Sequence, residues 1–260
     1  MAVAFGEARA QAIVSMGQSF VEARLLPGER EPAGSRLAGL RLTMTPGWKT
    51  YWRSPGEAGI PPRLDWSQSD NVSSVEVLWP APVVFESFGM KTIGYEDRVV
   101  FPVRIQPEDP NEPVSLVVEG QIGVCREVCV LEQFELSEEI TPDQRPIGAK
   151  QIHRAVRTVP MSSEKAGLEV LSCRITGAGR DRTMTAELAS DQLGDNPQVL
   201  VEGHENLWVQ STRVEHTGST LRVGAELRTP KDVSWVDRSS VRMTVLANGF
   251  AVDIQGCIAS

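Results

Sequence analysis

The chain has 260 residues, 41% of them hydrophobic and 23% charged, with a formal charge of −8 and a pI near 5.1. These values suit two globular domains of roughly 100–130 residues each and exclude a disordered chain. The acidic balance, without any Lys or Arg run, argues against a nucleic-acid or anionic-membrane surface, and no apolar stretch approaches the roughly 18–20 residues that a spanning helix needs.

Residues 1–17 read as an N-terminal tail or signal remnant. Met1 to Glu7 lacks the basic start and apolar middle of an export signal, whereas Ala8-Arg9-Ala10-Gln11-Ala12 resembles the small-residue end of one. Short alternating runs bounded by Gly, Pro, Asn and Asp then follow, the pattern of strands in an all-β sandwich. They are Phe20 to Leu26, Leu40 to Met44, Val72 to Trp79, Val99 to Ile105, Ser115 to Val124 and Val130 to Leu136. Together they define a first domain over residues 18–140.

Residues 141–160 break the alternation and form a linker. Pro142 and Pro146 open it, Ile147 to Val156 suits a short helix, and Pro160 closes it. A second domain, 161–260, carries runs at Leu168 to Ile175, Thr183 to Leu188, Gln198 to Val201, Leu207 to Thr212, Leu221 to Leu227, Val241 to Leu246 and Phe250 to Ile254. About seven short strands per half predicts two immunoglobulin-like β-sandwiches.

Four cysteines allow three complete pairings, and their spacing favours one pair per domain. Cys173 and Cys257 lie on the first and last strands of the second half. Closing so long a loop stabilises by roughly 4.5 kcal/mol and suits a structural staple, against roughly 2 kcal/mol for the short loop between Cys125 and Cys129. In a straight strand, residues four apart lie about 13 Å from each other, so Cys125 and Cys129 can bond only across a turn or tight hairpin. Leu116, Val118, Ile122 and Val124 share one parity, which leaves Cys125 on the opposite, outward face. Arg126 and Glu127 give opposite charges beside the pair and no direction for a thiol pKa. His153, His204 and His216 have no metal-ligand spacing, and no nucleotide loop, zinc motif or serine elbow is present. Trp48, Tyr51 and Trp52 read as core and corner packing.

The stretch Pro46-Gly47-Trp48-Lys49-Thr50-Tyr51-Trp52-Arg53-Ser54-Pro55-Gly56-Glu57-Ala58-Gly59-Ile60-Pro61-Pro62 resembles the opening motif of the N-terminal domain of the DsbD and ScsB thiol–disulfide reductases. The resemblance continues through Trp79-Pro80-Ala81-Pro82, Phe88-Gly89, Ile93-Gly94-Tyr95-Glu96-Asp97 and Val124-Cys125-Arg126-Glu127-Val128-Cys129, with the Cys-x-x-x-Cys spacing of the ScsB-like branch. It implies a periplasmic, immunoglobulin-like module that takes electrons from a thioredoxin-like domain or membrane donor and passes them to oxidised periplasmic proteins. Catalytic Cys125 and Cys129 would work without a cofactor or metal, Cys129 as the attacking sulfur. The stretch Phe85 to Met90, with Phe85, Phe88, Gly89 and Met90, would form a cap over the pair, Phe88 foremost. Neither the family's membrane domain nor its thioredoxin-like Cys-x-x-Cys occurs in this sequence. Two other readings remain open: a Cu(I)-handling protein using Cys125, Cys129 and Met90 as soft ligands, and a non-catalytic scaffold in which both disulfides are structural.

Overall fold

Among the described residues ten strands build the first half, six of them where apolar and polar residues alternate with a period of two. They are β1 (Val21–Arg30), β2 (Arg36–Met44), β3 (Lys49–Gly56), β4 (Arg63–Asp65), β5 (Ser74–Val77), β6 (Val83–Ser87), β7 (Met90–Glu96), β8 (Arg98–Gln106), β9 (Val114–Cys125) and β10 (Cys129–Ile140). The computed structural model describes residues 19–87, 89–194, 196–203, 207–230, 236–247 and 249–257. The N-terminal tail or signal remnant expected over residues 1–17 lies outside the described residues.

One sheet has the order β1-β2-β8-β5, and the other β10-β9-β3-β7-β6, with β4 paired to β9. The inward residues of β9, namely Leu116, Val118, Ile122 and Val124, have no exposed surface, and neither do Leu40, Val103 and Ile105 from the other sheet. Fully burying each such side chain stabilises by roughly 1.5–3 kcal/mol. The fold is all-β and immunoglobulin-like.

Several of these strands have no counterpart among the alternating runs of the sequence. β3, β4, β6 and β7 lie in the Gly- and Pro-rich stretch between Pro46 and Glu96, where prolines and glycines interrupt the periodicity. On β3, Thr50 and Trp52 point into the core, 1% and 0% exposed. Alternation therefore sends Lys49 and Tyr51 to the opposite face.

Helix α1 (Ala149–Val156) occupies the expected helical stretch. Ile152 and Ala155 pack it against Leu26, Leu37 and Val100, and Gly39 admits Ile152 because an added Cβ would lie 3.0 Å from that side chain. The chain divides between Arg157 and Thr158 into two compact units, so α1 belongs to the first.

The second unit holds β11 (Met161–Ser162), α2 (Ser163–Ala166), β12 (Glu169–Thr176), β13 (Asp181–Ala189), β14 (Gln198–Glu202), β15 (Trp208–Thr217), β16 (Thr220–Arg228), β17 (Arg242–Ala247) and β18 (Phe250–Gln255). Its sheets run β11-β18-β17-β14 and β12-β13-β16-β15, and among the described residues only β11 pairs in parallel. Met184, Leu188, Leu221, Val241, Val245 and Val252 fill its core without exposed surface.

Candidate redox site

The β9–β10 ladder ends on the pair Cys125 and Cys129, which face each other in register with Cα atoms 4.2 Å apart and are joined as a disulfide. Arg126, Glu127 and Val128 form the loop between them, and the Arg126 N–H donates to the Val128 carbonyl at 3.2 Å. The hairpin thus solves the reach problem that a straight strand would pose. Arg126 and Glu127 pair with each other at 3.7 Å, and both side chains are mostly in water.

The sequence expectation for Cys125 needs correcting. Parity places it opposite the core, as expected, yet it is only 5% exposed. Periodicity gives a strand its faces but not what covers them. Here Tyr51 and the Gly56 to Pro62 turn lie over the outer face of β9. An added Cβ on Gly123, two residues before Cys125, would stand 2.8 Å from Ile60 and 3.1 Å from the Tyr51 ring. One on Gly59 would stand 2.8 Å from the other side of that ring. Two glycines therefore clear the slot that holds Tyr51. Cys129, by contrast, is exposed.

The slot aims the phenol at the sulfurs. The Tyr51 O–H donates to Cys125 Sγ at 2.9 Å and lies 3.4 Å from Cys129 Sγ. Tyr51 is 4% exposed, and burial pushes its phenol above the ordinary value, so the O–H keeps its proton at neutral pH. This residue, read from sequence as packing, is the one the sequence reasoning missed. The signal that reveals it is the pairing of β3 with β9, Lys49 to Cys125 and Thr50 to Val124, which is invisible in local pattern. Trp48 and Trp52 do pack, Trp48 stacked on Phe20 at 3.8 Å between centroids.

The stretch expected as a cap forms the tip of the β6–β7 hairpin on the same sheet. Ser87 and Met90 close it around two residues, with Gly89 at φ 75°. Phe85 is buried at 8% exposure beneath the Lys49 ammonium, 4.3 Å from the ring centroid, and Met90 is 39% exposed. Phe88 lies outside the described residues. On the β10 side Val128 and Leu131 stand open at 65% and 48%.

In the second unit Cys173 and Cys257 are joined as a disulfide, both buried at 2% and 0% exposure. Arg238 donates through Nε to the Cys257 carbonyl at 2.9 Å and through its terminal nitrogen to the Cys173 carbonyl at 2.6 Å. His153 contacts Glu29 and His216 contacts the Gly218 carbonyl, each at 2.7 Å, while His204 lies outside the described residues. Among the described residues no group of three or more His, Cys, Asp or Glu is placed to hold a metal, and no helix is long and apolar enough to cross a membrane.

Residues 22–140 match the family described as thiol:disulfide interchange protein DsbD, N-terminal. Over these residues the chain is similar to the DsbD N-terminal domain. Across both units the fold is similar to the crystal structure of the N-terminal periplasmic domain of ScsB from Proteus mirabilis, with a TM-score of 0.71 and 21% identity over 96% of this chain and 97% of that one. No curated protein matches the chain. The disulfide at the end of the β9–β10 ladder thus pairs a buried cysteine, its sulfur held by a tyrosine hydroxyl, with a cysteine open to solvent. A nucleophile from outside has one sulfur to attack, and the other is already placed to leave.

Proposed function

We propose that the chain is a periplasmic thiol–disulfide exchange module that relays electrons from a thioredoxin-like domain or membrane donor to oxidised extracytoplasmic proteins through Cys125 and Cys129. The carrying observation is the asymmetry of the pair: Cys129 exposed, Cys125 buried with its sulfur under the Tyr51 hydroxyl. The match of residues 22–140 to the interchange family supports the same chemistry.

In the loading half-reaction a donor thiolate attacks Cys129 Sγ. The Cys125–Cys129 bond breaks, a mixed disulfide forms, and the bonding electrons leave on Cys125 as a thiolate that receives the Tyr51 hydrogen bond. The donor's second thiolate then attacks its own sulfur in the mixed disulfide, so the donor leaves oxidised and Cys129 leaves reduced. In the unloading half-reaction the Cys129 thiolate attacks the disulfide of an oxidised protein. Cys125 attacks Cys129 Sγ in the resulting mixed disulfide, which restores the Cys125–Cys129 bond and frees the reduced substrate. A hydrogen bond to a charged acceptor contributes about 1.5–3 kcal/mol, so Tyr51 lowers the barrier wherever charge gathers on Cys125.

Exposed Val128 and Leu131 give an incoming protein apolar contact beside Cys129. The Phe85 to Met90 hairpin serves as the cap. Buried Cys173–Cys257, tied again by Arg238, serves as the staple of the second unit.

Equilibration with glutathione and thioredoxin buffers tests the reading. A Cys125–Cys129 potential of about −180 to −270 mV, the range of exchanging pairs, is expected. A potential below about −300 mV, where structural disulfides lie, would overturn it.

A further inference from the structure

The sheet order leaves β10 at an edge, and its ladder with β9 runs without a register shift from Cys129 to Ile140. Along such a strand the N–H and C=O of successive residues point in alternation to the partner strand and away from it. Two contacts fix the phase. The Arg126 N–H donates to the Val128 carbonyl, so the next pair, Cys125 and Cys129, exchanges no backbone bonds. Ser115, opposite Glu139, exchanges its backbone bonds with Asp70 and so turns them away from β10. The N–H and C=O of Cys129, Leu131, Gln133, Glu135, Ser137 and Glu139 therefore point to the open side of β10. All six residues are exposed, and among the described residues none of these backbone groups has a partner. Glu132 points inward and takes the Ser19 hydroxyl and the Phe20 N–H, which ties the approach to β1 to a side chain of β10.

We propose that this edge takes an extended, cationic segment of the oxidised protein as an added strand, which brings that protein's disulfide to Cys129. The inference rests on the exchange reading above and names the chemistry of the partner. A residue of the added strand facing Cys129 shares a hydrogen-bonded pair with it, with Cα atoms about 5.5 Å apart, inside the roughly 4.4–6.8 Å that a disulfide spans. Backbone pairing thus sets the two sulfurs within bonding reach. Charge selects the occupant. β9 and β10 together carry Glu119, Glu132, Glu135, Glu138 and Glu139 and neither Lys nor Arg. Glu119 and Glu135 face each other across the ladder and line a shallow groove of about 820 Å³ on the outer face, beside the path of the added strand. Arg63 and Asp65 of β4 also line it, one charge of each sign. Like charges turn away a second copy of the same edge.

The test uses the reduced full chain with Cys125→Ser, which stops at the mixed disulfide. Two peptides of threonine and serine carry one cysteine activated as its thionitrobenzoate disulfide, flanked on the same face by lysines in one and by glutamates in the other. Attack of the Cys129 thiolate on the peptide sulfur forms the mixed disulfide and releases thionitrobenzoate, whose absorbance gives the rate. The lysine peptide is expected to react about tenfold faster than the glutamate peptide, with the gap closing in high salt. Gln133→Pro deletes an outward N–H and no ladder bond. It is expected to lower the rate with the lysine peptide, relative to that with dithiobis-nitrobenzoate, by about five- to tenfold. If that variant does not fold, N-methylation of the lysine peptide at alternate residues decides, with the same loss expected in one of the two phases. Rates indifferent to charge, proline and N-methylation would overturn the proposal. A concentration-dependent dimer that Gln133→Pro dissolves would give the edge to a second copy and overturn it too. A lysine peptide with serine for cysteine that binds a chain unable to exchange with thioredoxin would refute the exchange reading and leave the edge standing. Normal exchange with peptide-indifferent rates would do the reverse.

Discussion

At Tyr51 one hydroxyl meets both sulfurs of the disulfide, while the ring fills a slot between Gly59 and Gly123. Tyr51→Phe keeps the ring and removes the donor, so it isolates the hydrogen bond from the packing. Reduction of the pair by thioredoxin is expected to slow by about 10- to 100-fold, which corresponds to losing a charge-assisted bond of about 1.5–3 kcal/mol. Stopped-flow fluorescence of the reaction checks this. An unchanged rate would show that the hydroxyl only fills space. The position also marks a limit of sequence reasoning. That Tyr51 lies opposite the core follows from alternation with Thr50 and Trp52, but its contact with Cys125 depends on which strand pairs with β3, and no local pattern encodes that. The burial of Cys125 was hidden for a related reason, because Tyr51, whose hydroxyl lies on its sulfur, is far away in the chain.

Among the elements, the β9–β10 hairpin carries the chemistry at its tip and a titrating group nearer its base. Glu138 shares the parity of Phe134, Leu136 and Ile140, all buried, and burial raises its carboxyl above the ordinary value. A raised folded-state pKa means that the folded chain holds the proton more tightly than the unfolded one. The resulting stability is complete below the unfolded pKa and is lost as pH rises through the folded value. Glu138→Gln is therefore expected to raise the melting temperature at neutral pH, with the gain vanishing near pH ~4. Equal melting temperatures at neutral pH would contradict this. Hairpins such as β9–β10 were legible in the sequence because Leu116, Val118, Ile122 and Val124 alternate without interruption. β6 and β7 were not, since Phe88-Gly89 and Gly94 break the alternation. Gly94 is required there because an added Cβ would strike the backbone of Thr50 and Tyr51. The elements that frame the site are thus the ones whose close approaches demand the residues that blur the strand signal.

At the scale of the whole molecule, the chain carries two disulfides in opposite settings. Cys173–Cys257 joins residues 84 apart, with both sulfurs buried. Replacing both cysteines with alanine is expected to destabilise the second unit by about 4.5 kcal/mol, read as a lower urea midpoint, and to leave exchange at Cys125–Cys129 unchanged. An unaltered midpoint would remove its role as a staple. Cysteine spacing already separated the two pairs in the sequence, and the two-sandwich architecture followed from the strand count. The exposure of Cys129 against the burial of Cys125 had to come from the structure. That asymmetry makes mixed-disulfide trapping the most direct test of the account. Reduced Cys125→Ser and Cys129→Ser chains are each mixed with a thioredoxin that keeps only its attacking cysteine, activated as a mixed disulfide with thionitrobenzoate, and resolved on a non-reducing gel. The account predicts a stable adduct through Cys129 in Cys125→Ser and little or none through buried Cys125 in Cys129→Ser, whereas no adduct with either chain, or the adduct in Cys129→Ser alone, would contradict it.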